Sequence, residues 1–265
     1  MPGNLVEELL SGGLTNAGLV TRVGDTVRRP RGPTSTAARA VLEHLERVGF
    51  DGAPRFLGID DQGRETLAYI PGEAAIEPYP PRALTDEALV GVAELLARYH
   101  AAVASFDPAG HVWPAFVPAE FQDGVISHND PNLDNVIFCD DRAVALIDFD
   151  LASPGSAVWD VACAARLWAP LRDERDVPEP VHGRSLERLR IFVDAYGLSR
   201  RDRARVVDAL IPAHERCYRV VRSALSGGHE AFNRMWREGG RQRTDRTRHW
   251  LESNDARMRA VLGVR

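Results

Sequence analysis

Residues 127–150, SHNDPNLDNVIFCDDRAVALIDFD, set aspartate, asparagine and histidine around two short apolar runs. The runs NVIF and AVALI predict the two strands of a hairpin joined through CDDR. A tight turn centred between Asp141 and Arg142 would place Asn135 opposite Asp148. An amide oxygen beside a carboxylate, with room for water and phosphate oxygens, suits a magnesium ion. The stretch therefore predicts Asn135 and Asp148 as metal ligands.

Three further polar residues lie near this predicted site. Asp130 precedes Asn135 by a five-residue loop and can reach the same space, where a carboxylate can orient a substrate hydroxyl and take its proton. His128 is interpreted as a packed structural residue, the commoner role for a lone histidine. Asp150 shares the face of Asp148 if the strand continues that far, and its role stays open.

His128-x-Asp130-x4-Asn135, followed by a hairpin and Ile147-Asp148-Phe149-Asp150, resembles the catalytic core of the aminoglycoside phosphotransferase family. This family is the small-molecule branch of the protein-kinase-like fold. The resemblance implies that Asp130 is the catalytic base, that Asn135 and Asp148 hold Mg²⁺ on the phosphates of ATP or GTP, and that Asp160 braces the loop backbone. Two positions depart from the family pattern: Leu133 replaces a common proline, and Phe149-Asp150 replaces Phe-Gly.

The first 70 residues predict a small antiparallel sheet with one helix, in the order β-β-α-β-β. LTNAGLVTRVGDTVRRP predicts a hairpin that turns at Gly24-Asp25. TSTAARAVLEHLERVGF has the apolar spacing of a helix that Gly49 ends. RFLGID and ETLAYIPG predict a second hairpin.

This sheet is expected to bind the nucleotide. Gly12, Gly13 and Gly18 lie in the segment SGGLTNAGLV, where glycines would let backbone amides approach phosphate oxygens. The resemblance also implies that the backbone near Tyr69 and Ile70, in the connector between the lobes, forms hydrogen bonds with the nucleotide base.

The chain contains no lysine, so the cation that the kinase-like fold carries on its third strand must be arginine. Arg29 is preferred to Arg28 because Val27, an apolar residue, precedes it by two positions on the same face. The usual partner of this cation is a glutamate on the following helix, and the corresponding position here falls near Arg39. Either Glu43 serves instead or the pairing is absent.

Pro71-Gly72 marks the predicted boundary between a nucleotide-binding lobe, residues 1–71, and a catalytic and substrate-binding lobe, residues 72–265. Beyond this boundary, apolar spacing predicts mostly helices, including a long one that starts at Ser199 and is interrupted by Pro212. We therefore expect an α+β, bilobal, protein-kinase-like fold.

The substrate is expected to contact the second lobe, where two segments point to opposite substrate charges. LRDERDVPEP carries four acids that could bind the amino groups of an aminoglycoside-like molecule, unless they are merely solvated: Asp173, Glu174, Asp176 and Glu179. RMWREGGRQRTDRTRHW is either a basic helix face over packed Trp236 and Trp250, or a surface that meets an anionic substrate.

Composition narrows the class of protein. A formal charge of −5 and a pI of about 5.9 do not favour nucleic-acid binding. Three unpaired-looking cysteines indicate a reducing compartment, and no signal peptide or membrane span is expected, so cytoplasmic localisation is predicted. The partner is expected to be a small hydroxylated molecule. The sequence does not distinguish monomer from dimer.

The leading hypothesis is a nucleotide-dependent O-phosphotransferase that acts on a hydroxyl of an aminoglycoside or another hydroxylated antibiotic. A kinase of an ordinary metabolic alcohol and a kinase-like binding or immunity protein without catalysis are the alternatives. A metal-dependent hydrolase is a weaker one, because it has no use for the N-terminal sheet.

Overall fold

A five-stranded antiparallel sheet forms most of the N-terminal lobe. The computed structural model describes residues 6–10, 18–114, 117–226 and 230–264. The sheet has the strand order β1-β2-β3-β5-β4. Its strands are β1 (Glu7–Leu9), β2 (Thr21–Val23), β3 (Thr26–Arg29), β4 (Phe56–Ile59) and β5 (Glu65–Ala68). Both predicted hairpins are confirmed, and β1 adds a strand to the predicted β-β-α-β-β order.

One helix packs against this sheet, as predicted. Helix α1 spans Ser35–Arg47 and buries Ala38, Val41, Leu42 and Leu45 along one side. The chain leaves the helix through Gly49, whose φ of 76° is the left-handed conformation that glycine adopts without steric cost.

The connector after β5 leads into a second, smaller sheet. Strand β6 (Glu73–Ala74) pairs with β8 (Val136–Cys139) of the second lobe, which follows β7 (Val125–Ser127) in the chain. Gly72 has a φ of 136°, and a Cβ at this position would come within 2.4 Å of the carbonyl oxygen of Phe138. Glycine is therefore required where the connector passes over β8.

The second lobe is mainly helical, so the α+β prediction is confirmed. Its helices are α2 (Asp86–Val103), α3 (Ala157–Trp168), α4 (Ser185–Tyr196), α5 (Arg200–Ser226), α6 (Glu230–Met235) and α7 (Arg241–Val261). Leu89, Leu96, Tyr99 and Trp159 are fully buried where α2 and α3 meet in the core. Among the described residues, none of the helices combines the length and the apolar character needed to span a bilayer.

Helix α5 continues through Pro212, contrary to the predicted interruption. Proline lacks the N–H that would bond the preceding turn, so it removes one backbone hydrogen bond. Buried Val206, Leu210 and Ala213 pack on both sides of the proline, and this packing keeps the helix continuous.

The predicted hairpin of the second lobe is present, but it turns one residue earlier than expected. Strand β8 (Val136–Cys139) pairs with β9 (Arg142–Leu146), with Cys139 opposite Arg142. The turn residues are Asp140 and Asp141, with φ values of 48° and 59°. Aspartate tolerates this left-handed conformation, which a tight hairpin turn requires at both positions.

The predicted pairing of Asn135 with Asp148 is therefore wrong. The register shifts at an irregularity between Ile137 and Phe138, and the N–H of Ile147 donates to the carbonyl of Asn135 at 2.9 Å. Asp148 lies one residue beyond this bond. A short helical turn follows Asp148, so the strand does not extend to Asp150.

Candidate active site

Asp160, in the first turn of α3, holds the backbone of the loop that spans residues 128–135. Its carboxylate accepts hydrogen bonds from the N–H groups of His128 at 2.6 Å and of Asn129 at 2.8 Å. A third contact joins Oδ2 to Nε2 of His100 at 3.0 Å. Burial raises the pKa of Asp160, but these hydrogen bonds and the nearby histidines outweigh burial and lower it. The bonds fix the start of the loop.

His128 is fully buried under this loop. Its Nε2 donates to the carbonyl of Ile147 at 3.0 Å, and its Nδ1 accepts from the N–H of Asp130 at 3.3 Å. The ring also packs on Phe149, with centroids 4.7 Å apart. Burial lowers the pKa of His128 to about 4, so the imidazole is neutral and connects the loop to the end of β9.

The side chains of Asp130 and Asn135 are joined across the loop. Nδ2 of Asn135 donates to Oδ2 and to the carbonyl oxygen of Asp130, both at 2.9 Å, which directs its amide oxygen away from Asp130. Burial raises the pKa of Asp130 to about 6, and Arg216 and Arg166 oppose this rise. The carboxylate is therefore mostly ionised at neutral pH and able to accept a proton.

Asn135 and Asp148 line the same cleft despite the shifted register. Asp148 adopts a φ of 63°, which turns the chain sharply out of β9. Burial raises its pKa to about 7, and the nearby charge of Asp150 adds to the rise. Among the described residues, no cluster of three or more histidine, cysteine or acidic side chains could hold a metal alone. Two oxygen donors facing a cleft do fit Mg²⁺, which keeps waters and phosphate oxygens as its other ligands.

Arg29 projects from β3 into this site and contacts three carboxylates. Its guanidinium lies 2.9 Å from Glu65, 3.4 Å from Asp148 and 2.6 Å from Asp150. Arg28 points to the other face of the sheet, 3.8 Å from Asp60. The strand alternation used to prefer Arg29 therefore identifies the residue whose side chain enters the cleft.

The partner of Arg29 is not on helix α1. Glu43 is exposed and lies 3.6 Å from Arg39, one turn away on the same helix. Glu65 on β5 is buried and lies directly opposite Arg29 in the sheet. The partner of Arg29 is therefore Glu65 and not Glu43. The sequence analysis missed Glu65.

The cleft between the lobes has a volume of about 460 Å³. Val27, Leu67, Ile137 and Ile147 form apolar walls on both sides, as the base of a nucleotide would require. Arg29, Asn135 and Asp148 lie at the polar end of the same cleft.

Some of the backbone groups that were predicted to bind the nucleotide already form hydrogen bonds within the protein. Tyr69 and Ile70 line the cleft, but the N–H of Tyr69 donates to the carbonyl of Asp25 at 2.9 Å. Gly18 has a φ of 77° in the turn before β2. Gly12 and Gly13 lie outside the described residues.

A second cavity, of about 800 Å³, opens among the helices of the second lobe. The four predicted substrate-binding acids do not converge on it: Glu174 and Glu179 are exposed, Asp173 is half-buried, and none of these three lines the cavity. Asp176 lines the cavity, but its carboxylate binds Arg246 at 2.7 and 2.9 Å.

Buried Arg216 is another residue that the sequence analysis missed. It projects from α5 and donates to the carbonyl oxygen of Asn129 in the loop. Helical spacing offered a signal, because Arg216 follows Ala209 and Ala213 on the buried face of α5. An arginine on an apolar face requires a buried acceptor.

Known proteins resemble this chain in sequence and in structure. Residues 111–206 match the model of the phosphotransferase enzyme family (APH). The trifolitoxin immunity protein of Rhizobium leguminosarum bv. trifolii is 34% identical, over 96% of this chain and 97% of that protein.

Two solved structures share the fold at low sequence identity. A choline/ethanolamine kinase family protein from Mesorhizobium loti superposes with a TM-score of 0.63 at 18% identity, covering 98% of this chain and 94% of the other. The GDP complex of aminoglycoside 2′-phosphotransferase-IIIa gives a TM-score of 0.56 at 14% identity, covering 97% and 94%. The predicted kinase-like fold and family are both confirmed: this chain belongs to the phosphotransferase enzyme family.

Proposed function

We propose that this protein transfers the γ-phosphoryl group of ATP or GTP to a hydroxyl group of a small molecule. The observation that carries the proposal is the position of Asp130, which bonds to Asn135 beside the nucleotide-sized cleft. We assign nucleotide binding to residues 1–71 and catalysis with acceptor binding to residues 72–265. The nucleotide donor favours the cytoplasm as the place of action.

In the proposed reaction, Asp130 orients the acceptor hydroxyl and takes its proton. The hydroxyl oxygen forms a bond to the γ-phosphorus as the bond to the bridging oxygen breaks, and the nucleoside diphosphate leaves with that electron pair. Mg²⁺ held by Asn135 and Asp148 would neutralise charge on the phosphates. Arg29 supplies a buried cation at the same place, and His128 and Asp160 keep the loop in position.

The acceptor we propose is an antibiotic or toxin that carries a hydroxyl group. The trifolitoxin immunity protein is a relative over nearly the whole chain, which supports a protective role. An aminoglycoside is one such acceptor, and an ordinary metabolic alcohol remains an alternative.

A second candidate function is immunity by binding alone, without phosphoryl transfer. The likeness to the trifolitoxin immunity protein favours it. The replacement of the usual lysine by Arg29, which forms ion pairs with Asp148 and Asp150, favours it as well. The ordered contacts of Asp130 and Asn135 support catalysis instead.

The test is nucleotide consumption with a panel of hydroxylated antibiotics and metabolic alcohols, using the natural protein and an Asp130→Asn variant. Removal of a general base should lower turnover about 10²- to 10⁴-fold while nucleotide binding persists. Asp140→Asn, the same change at an exposed turn residue, is the matched control and should leave turnover unchanged. Full activity in a folded Asp130→Asn protein would refute the assignment, and nucleotide binding without turnover on any acceptor would favour the binding protein.

A further inference from the structure

The 800 Å³ cavity opens near the 128–135 loop. Arg166 on α3 and Cys217 on α5 line it, and Arg216, next to Cys217, donates to the carbonyl oxygen of Asn129, the loop residue before Asp130. Tyr79 lines the cavity too and lies within electrostatic range of Asp134 in the loop. A molecule in this cavity would therefore sit near the loop that carries Asp130.

The charged lining of this cavity is predominantly cationic. Four of the residues that line it are arginines: Arg166, Arg172, Arg175 and Arg243. Of the lining residues that the structure describes, two are acidic, Glu77 and Asp176. Glu77 is exposed, and Asp176 is already bound on both oxygens by Arg246. Few free carboxylates are thus left to receive the amino groups of a polycationic acceptor.

Two of these arginines keep buried donors without a partner. Nε of Arg166 and Nε of Arg172 are buried and have no hydrogen-bond acceptor within the described ranges. Within the residues that the structure describes, neither guanidinium lies within 4.0 Å of a carboxylate. Burial lowers the pKa of Arg172, although Tyr79 and Asp176 partly oppose this effect. Nη2 of Arg166 donates to Sγ of Cys217 at 2.9 Å, so neither guanidinium charge is neutralised, and a bound anion would supply the missing negative charge.

Aromatic side chains provide an apolar wall in the same cavity. Tyr218 and Trp236 have ring centroids 5.5 Å apart, and both line the cavity together with Tyr79. Guanidinium groups beside aromatic rings suit an organic molecule that carries an oxyanion, because one end binds charge and the other buries carbon. An inorganic ion alone would leave the aromatic wall without a contact.

We propose that the acceptor is an acidic organic molecule whose carboxylate or phosphate group binds Arg166 and Arg172 while its hydroxyl faces Asp130. This inference rests on the proposed phosphoryl transfer, and it selects among hydroxylated toxins and metabolites against polycationic aminoglycosides. It also assigns the basic C-terminal segment around Trp236 and Arg243 to the acceptor site, and it gives no such role to the acids at residues 173–179.

The test measures binding separately from turnover. The whole protein, with its nucleotide cleft filled by a non-hydrolysable ATP analogue and Mg²⁺, is titrated with three sets of size-matched hydroxylated compounds. These carry a carboxylate, a phosphate or only amines, with kanamycin as the cationic reference. Acidic compounds should bind more tightly than their amine counterparts, and the first two sets distinguish a carboxylate from a phosphate.

Variants then locate the binding site. Arg166→Gln and Arg172→Gln should each weaken binding of the acidic compounds about tenfold or more, because a charge-assisted hydrogen bond is lost. Arg172→Lys should restore part of the affinity. Arg142→Gln, at an exposed arginine beside the hairpin turn and outside both cavities, is the matched control and should change nothing. Within the described residues, neither cavity arginine has a carboxylate partner, and Arg166 gives up a single hydrogen bond to Sγ of Cys217, so the variants should fold.

The outcomes separate this inference from the proposed reaction. Arginine-dependent binding of an acidic compound without phosphate transfer would support the anion site and count against the phosphotransferase. Transfer to kanamycin, preferential binding of amines, binding by none of the sets, or acidic binding unchanged in both glutamine variants would overturn the anion site.

Discussion

Arg29 and Glu65 stand directly opposite each other on β3 and β5, with Nε and Oε2 2.9 Å apart. Both side chains are buried. Because the pair lies within one sheet, its geometry does not depend on the position of α1, where Glu43 is exposed. The cation is thus held in the cleft by its own sheet.

Glu65→Gln should weaken nucleotide binding. The substitution removes the charge that opposes Arg29 and leaves the guanidinium to Asp148 and Asp150, which compete with the triphosphate for it. We expect KM for the nucleotide to rise about tenfold, with a smaller effect on kcat. Steady-state kinetics at varied nucleotide concentration measures both constants.

Glu43→Gln is the matched control for this substitution. Glu43 forms an exposed ion pair with Arg39 on the surface of α1, so KM should not change. Equal effects of the two substitutions would show that α1 supplies the functional partner after all.

Asp148→Asn should abolish the benefit of Mg²⁺ for nucleotide binding. A neutral amide is a poorer ligand for a hard cation, so affinity in the presence of Mg²⁺ should fall about tenfold or more. In EDTA the same variant should bind nucleotide at least as well as the natural protein, because one negative charge near the phosphates is gone.

Isothermal titration with and without Mg²⁺ gives both affinities. Asp141→Asn, at an exposed turn residue, controls for the loss of one charge elsewhere on the hairpin. If Asp148→Asn keeps its Mg²⁺ dependence, Asp148 is not a ligand. Asp150→Asn should keep the dependence, because Asp150 binds Arg29 and does not line the cleft.

Asp160→Ala should destabilise the fold strongly. It leaves the buried N–H groups of His128 and Asn129 without an acceptor and removes the contact with His100. Each unsatisfied buried group costs about 1–3 kcal/mol, so we expect the free energy of unfolding to fall by about 3–5 kcal/mol. Urea denaturation measures it. Asp61→Ala, in an exposed turn, should stay within about 0.5 kcal/mol of the natural protein.

The pH dependence of stability should change when buried His214 is replaced. Burial lowers the pKa of His214 to about 4, below the value of about 6.5 expected in the unfolded chain. Its contribution to stability is therefore full above pH 6.5 and lost as pH falls towards 4. His128 acts in the same direction, while Asp130 and Asp148, with raised pKa values, act in the opposite one.

A comparison with a His214 variant isolates the contribution of this histidine to the pH dependence of stability. Relative to the natural protein, His214→Gln should gain about 2 kcal/mol of unfolding free energy between pH 7 and pH 5, because glutamine does not take up a proton. Urea denaturation at the two pH values provides this difference. A constant difference between the two proteins would mean that His214 titrates normally in the folded state.

Much of the candidate site was predictable because its parts lie close together in the chain. Asp130, Asn135 and Asp148 belong to one loop and one hairpin, and local pairing brings them together even though the turn was misplaced by one residue. The two-residue alternation of β3 likewise identified Arg29. The sequence by itself therefore determined the fold class and the family, and it located the loop and the hairpin that carry the proposed base and metal ligands.

The tertiary structure alone decided which distant residues meet. The pairing of Arg29 with Glu65 depends on how β3 registers against β5, across 36 residues that no local period describes. The charge of the 800 Å³ cavity proposed for the acceptor depends on how α3, α5 and the segment around Trp236 pack, because each supplies part of the lining. Periodicity reports the face on which a residue lies, and only packing between elements determines what that face contacts.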